Sequence, residues 1–194
     1  MKTSLHLLAI TLFGSVLAAD EPTLTATALV MAEQDSGVTG TVTFTQEPGQ
    51  PVKVVAAVSG LAPGKHGFHI HAEAPTDAGC GSTGGHYNPT GKQHGGPTNP
   101  ERHVGDLGNI LADEDGNAEL NISDSVISLS GDNSIAGRAV VIHANEDDLG
   151  VDDPAEMGNA GGRVACGHIM LEDDSAISLM STLATSVAML LFVA

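Results

Sequence analysis

Nine histidines, in a chain with one tyrosine and no tryptophan, are the residues whose spacing could do chemistry. Two of them, His69 and His71, sit one residue apart in the run HGFHIH, residues 66–71. Successive side chains of a strand point to opposite faces. Phe68 and Ile70 would then share one face and the two imidazoles the other, roughly 7 Å apart along the chain. Two imidazoles on one face can grip a metal ion, although a half-exposed strand could equally point them at water. The following stretch, HYNPTGKQHGGPTNPERHVGD, adds His86, His94, His103 and Asp106. Three imidazoles and a carboxylate match the tetrahedral preference of zinc, and such a set leaves no open position, as in a structural site. His143 ends another strand-like run, RAVVIH. With His69 and His71 it makes three strand-borne imidazoles, an all-nitrogen donor set suited to copper. Six histidines and an aspartate ordered over two strands and one Gly-rich loop are hard to explain as chance.

Those residues need elements to position them. Short runs rich in Val, Thr and Ile recur with period-two alternation: LTATALVM, TGTVTF, VKVVAAV, HGFHIH, NILAD, NAELNI, RAVVIH and RVACGHI. Gly, Pro, Asp and Asn punctuate them, and the mature region shows no long helical period and no internal repeat. The pattern predicts an all-β domain, an antiparallel barrel or sandwich of eight strands. Two stretches, 72–106 and 144–162, are too long for hairpin turns, and long irregular loops in a compact domain are usually functional.

Outside the histidines, composition sets limits. Seven Lys and Arg face 24 Asp and Glu, a net charge of −17, so nucleic acid and anionic lipid surfaces are poor partners. Residues 1–19 combine Lys2, an apolar stretch and small residues at the SVLAAD boundary, which reads as a secretory signal peptide. Residues 20–172 are expected to form the folded domain. Residues 173–194 form a hydrophobic tail, uncharged from Ala176 onward and long enough to span a bilayer. Ser and Thr dilute it, and no Lys or Arg follows as a stop signal. Small residues at 174–176, a mixed spacer and LLFVA resemble a lipid-anchor attachment signal. A lipid anchor, a membrane span and a loosely held secreted tail all stay open, with the domain itself expected outside the cell. Two cysteines, Cys80 and Cys166, are an even count in a secreted chain and suggest one disulfide.

The motifs GFHIH, GGHYNP, HGGP, ERHVGDLGN, SLSG, DDLG and GNAGGRVACG together resemble the copper/zinc superoxide dismutases, over roughly residues 24 to 170. The resemblance implies an eight-stranded antiparallel Greek-key β-barrel with two long functional loops, and disproportionation of superoxide to dioxygen and hydrogen peroxide. It implies copper on His69, His71, His86 and His143, and zinc on His86, His94, His103 and Asp106. His86 would bridge the two ions and carry a proton, and Arg163 would stand at the mouth of the copper site to guide the anion. Asp147 would link a copper histidine to a zinc histidine, and Cys80 would pair with Cys166. His66 and His168 fall outside both sets; a structural hydrogen bond is expected for His66.

The chain departs from the family pattern in two places. A lysine that the common form carries near the arginine is replaced, counting back from GNAG, by Glu156. With Asp152 and Asp153 this makes an acidic rim, expected to slow superoxide capture. Glu73 and Ala74 replace an aromatic and a glycine of the family's dimer contact. Burying an unpaired carboxylate is costly, so a homodimer is in doubt and a monomer or altered assembly is an alternative. Asn121, in NIS, matches the short N-glycosylation pattern. Two rival readings are a secreted metal-storage module without turnover and a copper-only variant. The bridging histidine and Arg163 argue against the first; His94, His103 and Asp106 argue against the second.

Overall fold

The structure, a computed structural model, describes residues 21–151 and 158–172. The eight alternating runs become strands β1 (Leu24–Ala32), β2 (Thr39–Gln46), β3 (Val52–Ser59), β4 (Gly64–His71), β5 (Asp106–Ala112), β6 (Ala118–Asp124), β7 (Ala139–His143) and β8 (Arg163–His168), and the described residues add a ninth, β9 (Met170–Leu171). Eight of them form a closed antiparallel barrel in the order β1-β2-β3-β6-β5-β4-β7-β8, with β8 returning to β1. Because β3 neighbours β6 and β4 neighbours β7, two connections cross the barrel end, the Greek-key arrangement. The expected eight-stranded barrel is therefore what forms. The two-residue β9 is an extra, lying against Ala26 and Thr27 of β1.

β3 shows why these sequences make a barrel. Val52, Val54, Ala56 and Val58 are buried, while Lys53, Val55, Ala57 and Ser59 face out. Alternation puts one apolar stripe inward from each strand, and closure removes the exposed edges that an open sheet would present. Phe44, Phe68, Ile70, Ile110, Leu129, Ile142 and Ile169 fill the centre. Each such side chain contributes about 1.5–3 kcal/mol by leaving water.

β4 and β7 break the alternation, since β7 and most of β4 are buried on both faces. Their inward residues, Phe68 opposite Ile142 and Ile70 opposite Val140, join the core. Their outward residues, His69 opposite Val141 and His71 opposite Ala139, lie outside the barrel wall yet are still covered. The cover comes from the long connection 72–105 and from the described residues of the connection that follows β7, Ala144 to Val151 and Gly158 to Gly162. The first is tied down by the Cys80–Cys166 disulfide, with Cα atoms 5.6 Å apart; both cysteines pack with Ala139 and Val141 in a small second cluster. Among the described residues no helix is long and apolar enough to cross a membrane. The sequence readings of 1–19 and 173–194 concern residues outside those described.

Candidate metal centre

Four elements converge outside the barrel wall. β4 supplies His69 and His71, the end of β7 supplies His143, the first long connection supplies His86, His94 and His103, and Asp106 opens β5. The site elements hold to each other by backbone bonds. His71 and His86 form an isolated antiparallel bridge, Tyr87 N donates to Ile70 O (2.8 Å), and Ile70 N donates to Gly105 O (2.8 Å). A Cβ on Gly105 would fall 2.1 Å from Ile70 O, so only glycine lets the loop approach β4 this closely.

The ligating atoms of His69, His71, His86 and His143 lie within 4.8 Å of one another, and so do those of His86, His94, His103 and Asp106. Each ring of the first set has one nitrogen committed to an oxygen. His69 donates through Nε2 to Asp147 (2.7 Å), His71 through Nδ1 to Gly84 O (2.9 Å), and His143 through Nδ1 to Gly161 O (3.0 Å). His86 donates through Nδ1 to Asp106 (2.7 Å). The other nitrogens face inward. His71 Nε2 and His143 Nε2 stand 3.3 Å apart, and His69 Nδ1 and His86 Nε2 are buried with no partner among the described residues. Buried polar atoms are nearly always satisfied, so two orphaned nitrogens beside a facing pair describe a place for a cation. His86 is common to both groups, its ring centroid 4.1 Å from His69, 5.1 Å from His71, 5.3 Å from His94 and 5.5 Å from His103. His94 Nδ1, 3.1 Å from Asp106 but not aligned for a hydrogen bond, is a third orphan.

The electrostatics suit the same use. Burial pushes His69 down to about 3, against its bond to Asp147, and His71 down to about 2. His143 falls to about 4 by burial, with its Gly161 bond opposing, and His86 is lowered too, chiefly by burial. These rings are neutral near pH 7, with lone pairs ready for a metal. Burial alone would raise Asp106, but the His103, His86 and His94 rings around it hold its carboxyl well below the usual carboxylate range. Asp147 is lowered as well, its burial outweighed by the bonds from His69 and His94. His94 goes the other way: burial opposes protonation, yet the carboxylates of Asp106 and Asp147 raise it to about 9.

Asp147 receives His69 on one carboxylate oxygen and His94 on the other (2.7 and 2.8 Å), so a single side chain orients one ring of each group. Asn109 of β5, not singled out in the sequence, clamps the Asp147 backbone with two hydrogen bonds, 2.9 and 2.8 Å. Arg102, equally unanticipated, is buried; it donates to the carbonyls of His103, Val104 and Asp106 and pairs with Asp124 of β6. A lone Arg in a polar loop carries no sequence signal for that role.

Arg163, at the start of β8, donates to Cys80 O (2.5 Å), Thr83 Oγ1 (3.1 Å) and Gly84 O (2.5 Å), and lines a shallow groove with His143, Gly161 and Gly162. His66 spans the carbonyls of His143 and Ala62 (2.8 Å each), the structural bond expected of it; His168 is exposed on β8. Asn121 is exposed on the outer face of β6, and Glu73 is exposed too. Asp152, Asp153 and Glu156, the expected acidic rim, lie outside the described residues. Residues 38–169, well over half of the chain, match the family model described as copper/zinc superoxide dismutase (SODC).

Proposed function

The chain belongs to the copper/zinc superoxide dismutase family, and on that footing we propose that it is a secreted member that converts superoxide to dioxygen and hydrogen peroxide. The family implies copper and zinc, and the donor sets fit both: neutral nitrogens for copper, nitrogens plus a carboxylate for zinc. His69, His71, His86 and His143 would hold copper; His86, His94, His103 and Asp106 would hold zinc. When bound, copper supplies a one-electron redox couple and zinc a fixed charge that tunes His86.

The protein's own side chains do the rest. Superoxide approaches a molecule of net charge −17, so it needs local positive charge, and the Arg163 guanidinium offers a fork of donors at the groove beside His143. Peroxide formation takes up protons, and His86 holds and releases one at Nε2. Asp147 keeps the His69 and His94 rings in one tautomer and one orientation. The observation that supports this reading most is His86 itself: Nδ1 bonds to Asp106, while Nε2 is buried with no partner among the described residues and His86 is grouped with His69, His71 and His143.

Purified protein is expected to hold copper and zinc in equal amounts and to remove superoxide in stopped-flow assays. His86→Ala removes both a proton donor and a member of each donor set, so the loss in rate is expected to exceed the about 10²–10⁴-fold that a positioned proton donor usually contributes. Copper alone would overturn the reading in favour of the copper-only variant, and a fully loaded protein without turnover would overturn it in favour of metal storage.

Secretion is supported by the signal-like residues 1–19 and by the disulfide, a bond that persists in oxidising compartments. We read the tail as an anchor signal. Release from cell surfaces by a phosphatidylinositol-specific phospholipase would bear this out, and extraction by detergent alone would point to a span. Glycosylation at Asn121 would appear as a mass loss on glycosidase treatment.

A further inference from the structure

Arg163 is held by a short turn rather than by its own strand. All three of its acceptors, Cys80 O, Thr83 Oγ1 and Gly84 O, belong to the segment 80–84, and Gly84 O also receives His71 Nδ1. Whatever fixes this turn fixes the guanidinium. The disulfide secures it at Cys80 Sγ. Its backbone is held at Thr83 O by Glu73 N (3.0 Å) and, at its start, by a residue from a different strand end. Cys80 N donates to Glu33 Oε2 (2.5 Å), from a position just past β1. Glu33's own N donates to Val164 O (2.8 Å), the residue next to Arg163. The fit is close: a Cβ on Gly79 would lie 2.6 Å from Glu33 Oε2, and Gly79 has φ +74°. Glu33 therefore spans from the backbone beside Arg163 to the turn that carries Arg163's acceptors. It also lines the groove that holds His143 and Arg163.

We propose that Glu33 is a positioning residue for Arg163, anchoring the disulfide-bonded turn from which the guanidinium hangs, and that its charge weakens the same groove's attraction for anions. This rests on the reading of Arg163 as the anion guide. The two effects have opposite signs and separate by substitution. Glu33→Gln keeps an acceptor for Cys80 N and removes the charge. Glu33→Ala removes both, and losing a hydrogen bond to a charged acceptor is worth roughly tenfold or more in an equilibrium.

Azide binding to the copper- and zinc-loaded protein, followed by its absorption change at low ionic strength, reads the groove. Dithiothreitol reduction of Cys80–Cys166 reads the anchor. Glu33→Gln is expected to bind azide about twofold more tightly, as like charge leaves the groove, with its disulfide reduced at a rate near that of the parent. Glu33→Ala is expected to bind azide about fivefold more weakly, the roughly tenfold loss of the anchor offset by the twofold gain from removing the charge, and to be reduced several times faster. If Glu33→Ala tightens azide as Glu33→Gln does, or is reduced no faster than the parent, the positioning role is overturned. If Glu33→Gln leaves azide affinity unchanged, the charge effect is overturned. Arg163→Ala is measured alongside. Loss of azide affinity there with none in Glu33→Ala sinks only the Glu33 proposal. Unchanged affinity in Arg163→Ala sinks the guide reading, and Glu33's role with it.

Discussion

Asp147 shows how much one side chain can carry. It is buried, it meets His69 and His94 with separate oxygens, and it stands 78 and 53 positions from them in sequence. Asp147→Ala leaves both rings free to turn and unpairs two N–H groups. Partners of ligating histidines typically matter 10- to 100-fold for metal affinity. Asp147→Ala is therefore expected to surrender both metals to a competing chelator at about tenfold lower chelator concentration than the parent. Loss of only one metal would mean that Asp147 serves one group alone. The ligand candidates themselves were legible because imidazole and carboxylate are rare among interior residues and chemically specific. Asp147 was legible only through the family motif DDLG; from its own neighbours it is a turn residue. Asn109 lay inside the motif ERHVGDLGN with no role legible there, and Glu33 gave no signal, since what each does depends on a partner far away in the chain.

Two glycines separate close approach from backbone strain. Gly158 has φ +72°, and a Cβ there would fall 1.9 Å from Asp147 Oδ1 and 2.5 Å from His94 Nε2. Gly131 has nearly the same φ, +75°, with nothing within 4 Å. Gly131→Ala is expected to cost only the left-handed backbone penalty, about 1–2 kcal/mol by chemical denaturation. Gly158→Ala adds a collision with the carboxylate that orients both groups, so it should lose metal as well as stability. Equal effects in the two variants would show that the loop around Gly158 yields freely. β4 makes the complementary point, for it serves the core with one face and the site with the other. Ile70→Ala is expected to destabilise by about 2–5 kcal/mol while leaving the outward imidazoles in place. Thermal unfolding with metal titration of the variant distinguishes that outcome from collapse of the site. The alternation in β1 to β3 was readable residue by residue. The covered outer faces of β4 and β7 were not, because only the two loops that fold over them make polar residues there buried.

For the whole molecule, self-association sets apolar contact against charge. Leu29 and Met31 on β1 and Met170 and Leu171 on the adjoining β9 are 47–69% exposed, a patch unusual on so acidic a surface. Two copies of net charge −17 repel, and the exposed Glu73 stands where the family resemblance leads one to expect an aromatic of a dimer contact. Weak dimerisation that strengthens with salt is the expected balance, since screening relieves the repulsion and leaves apolar burial intact. Sedimentation should show the dimer fraction rising from low to physiological ionic strength, and rising further in Glu73→Phe. A salt-independent monomer would exclude this face as a contact. By itself the sequence determined the β character, the two long loops and the donor types, because period-two patterning and side-chain chemistry are local properties. Only the tertiary structure decided which nitrogen of each ring is committed, that His86 stands between two donor groups, and that Glu33 reaches Cys80. Those are consequences of barrel closure and loop docking, which bring together residues that no local pattern connects.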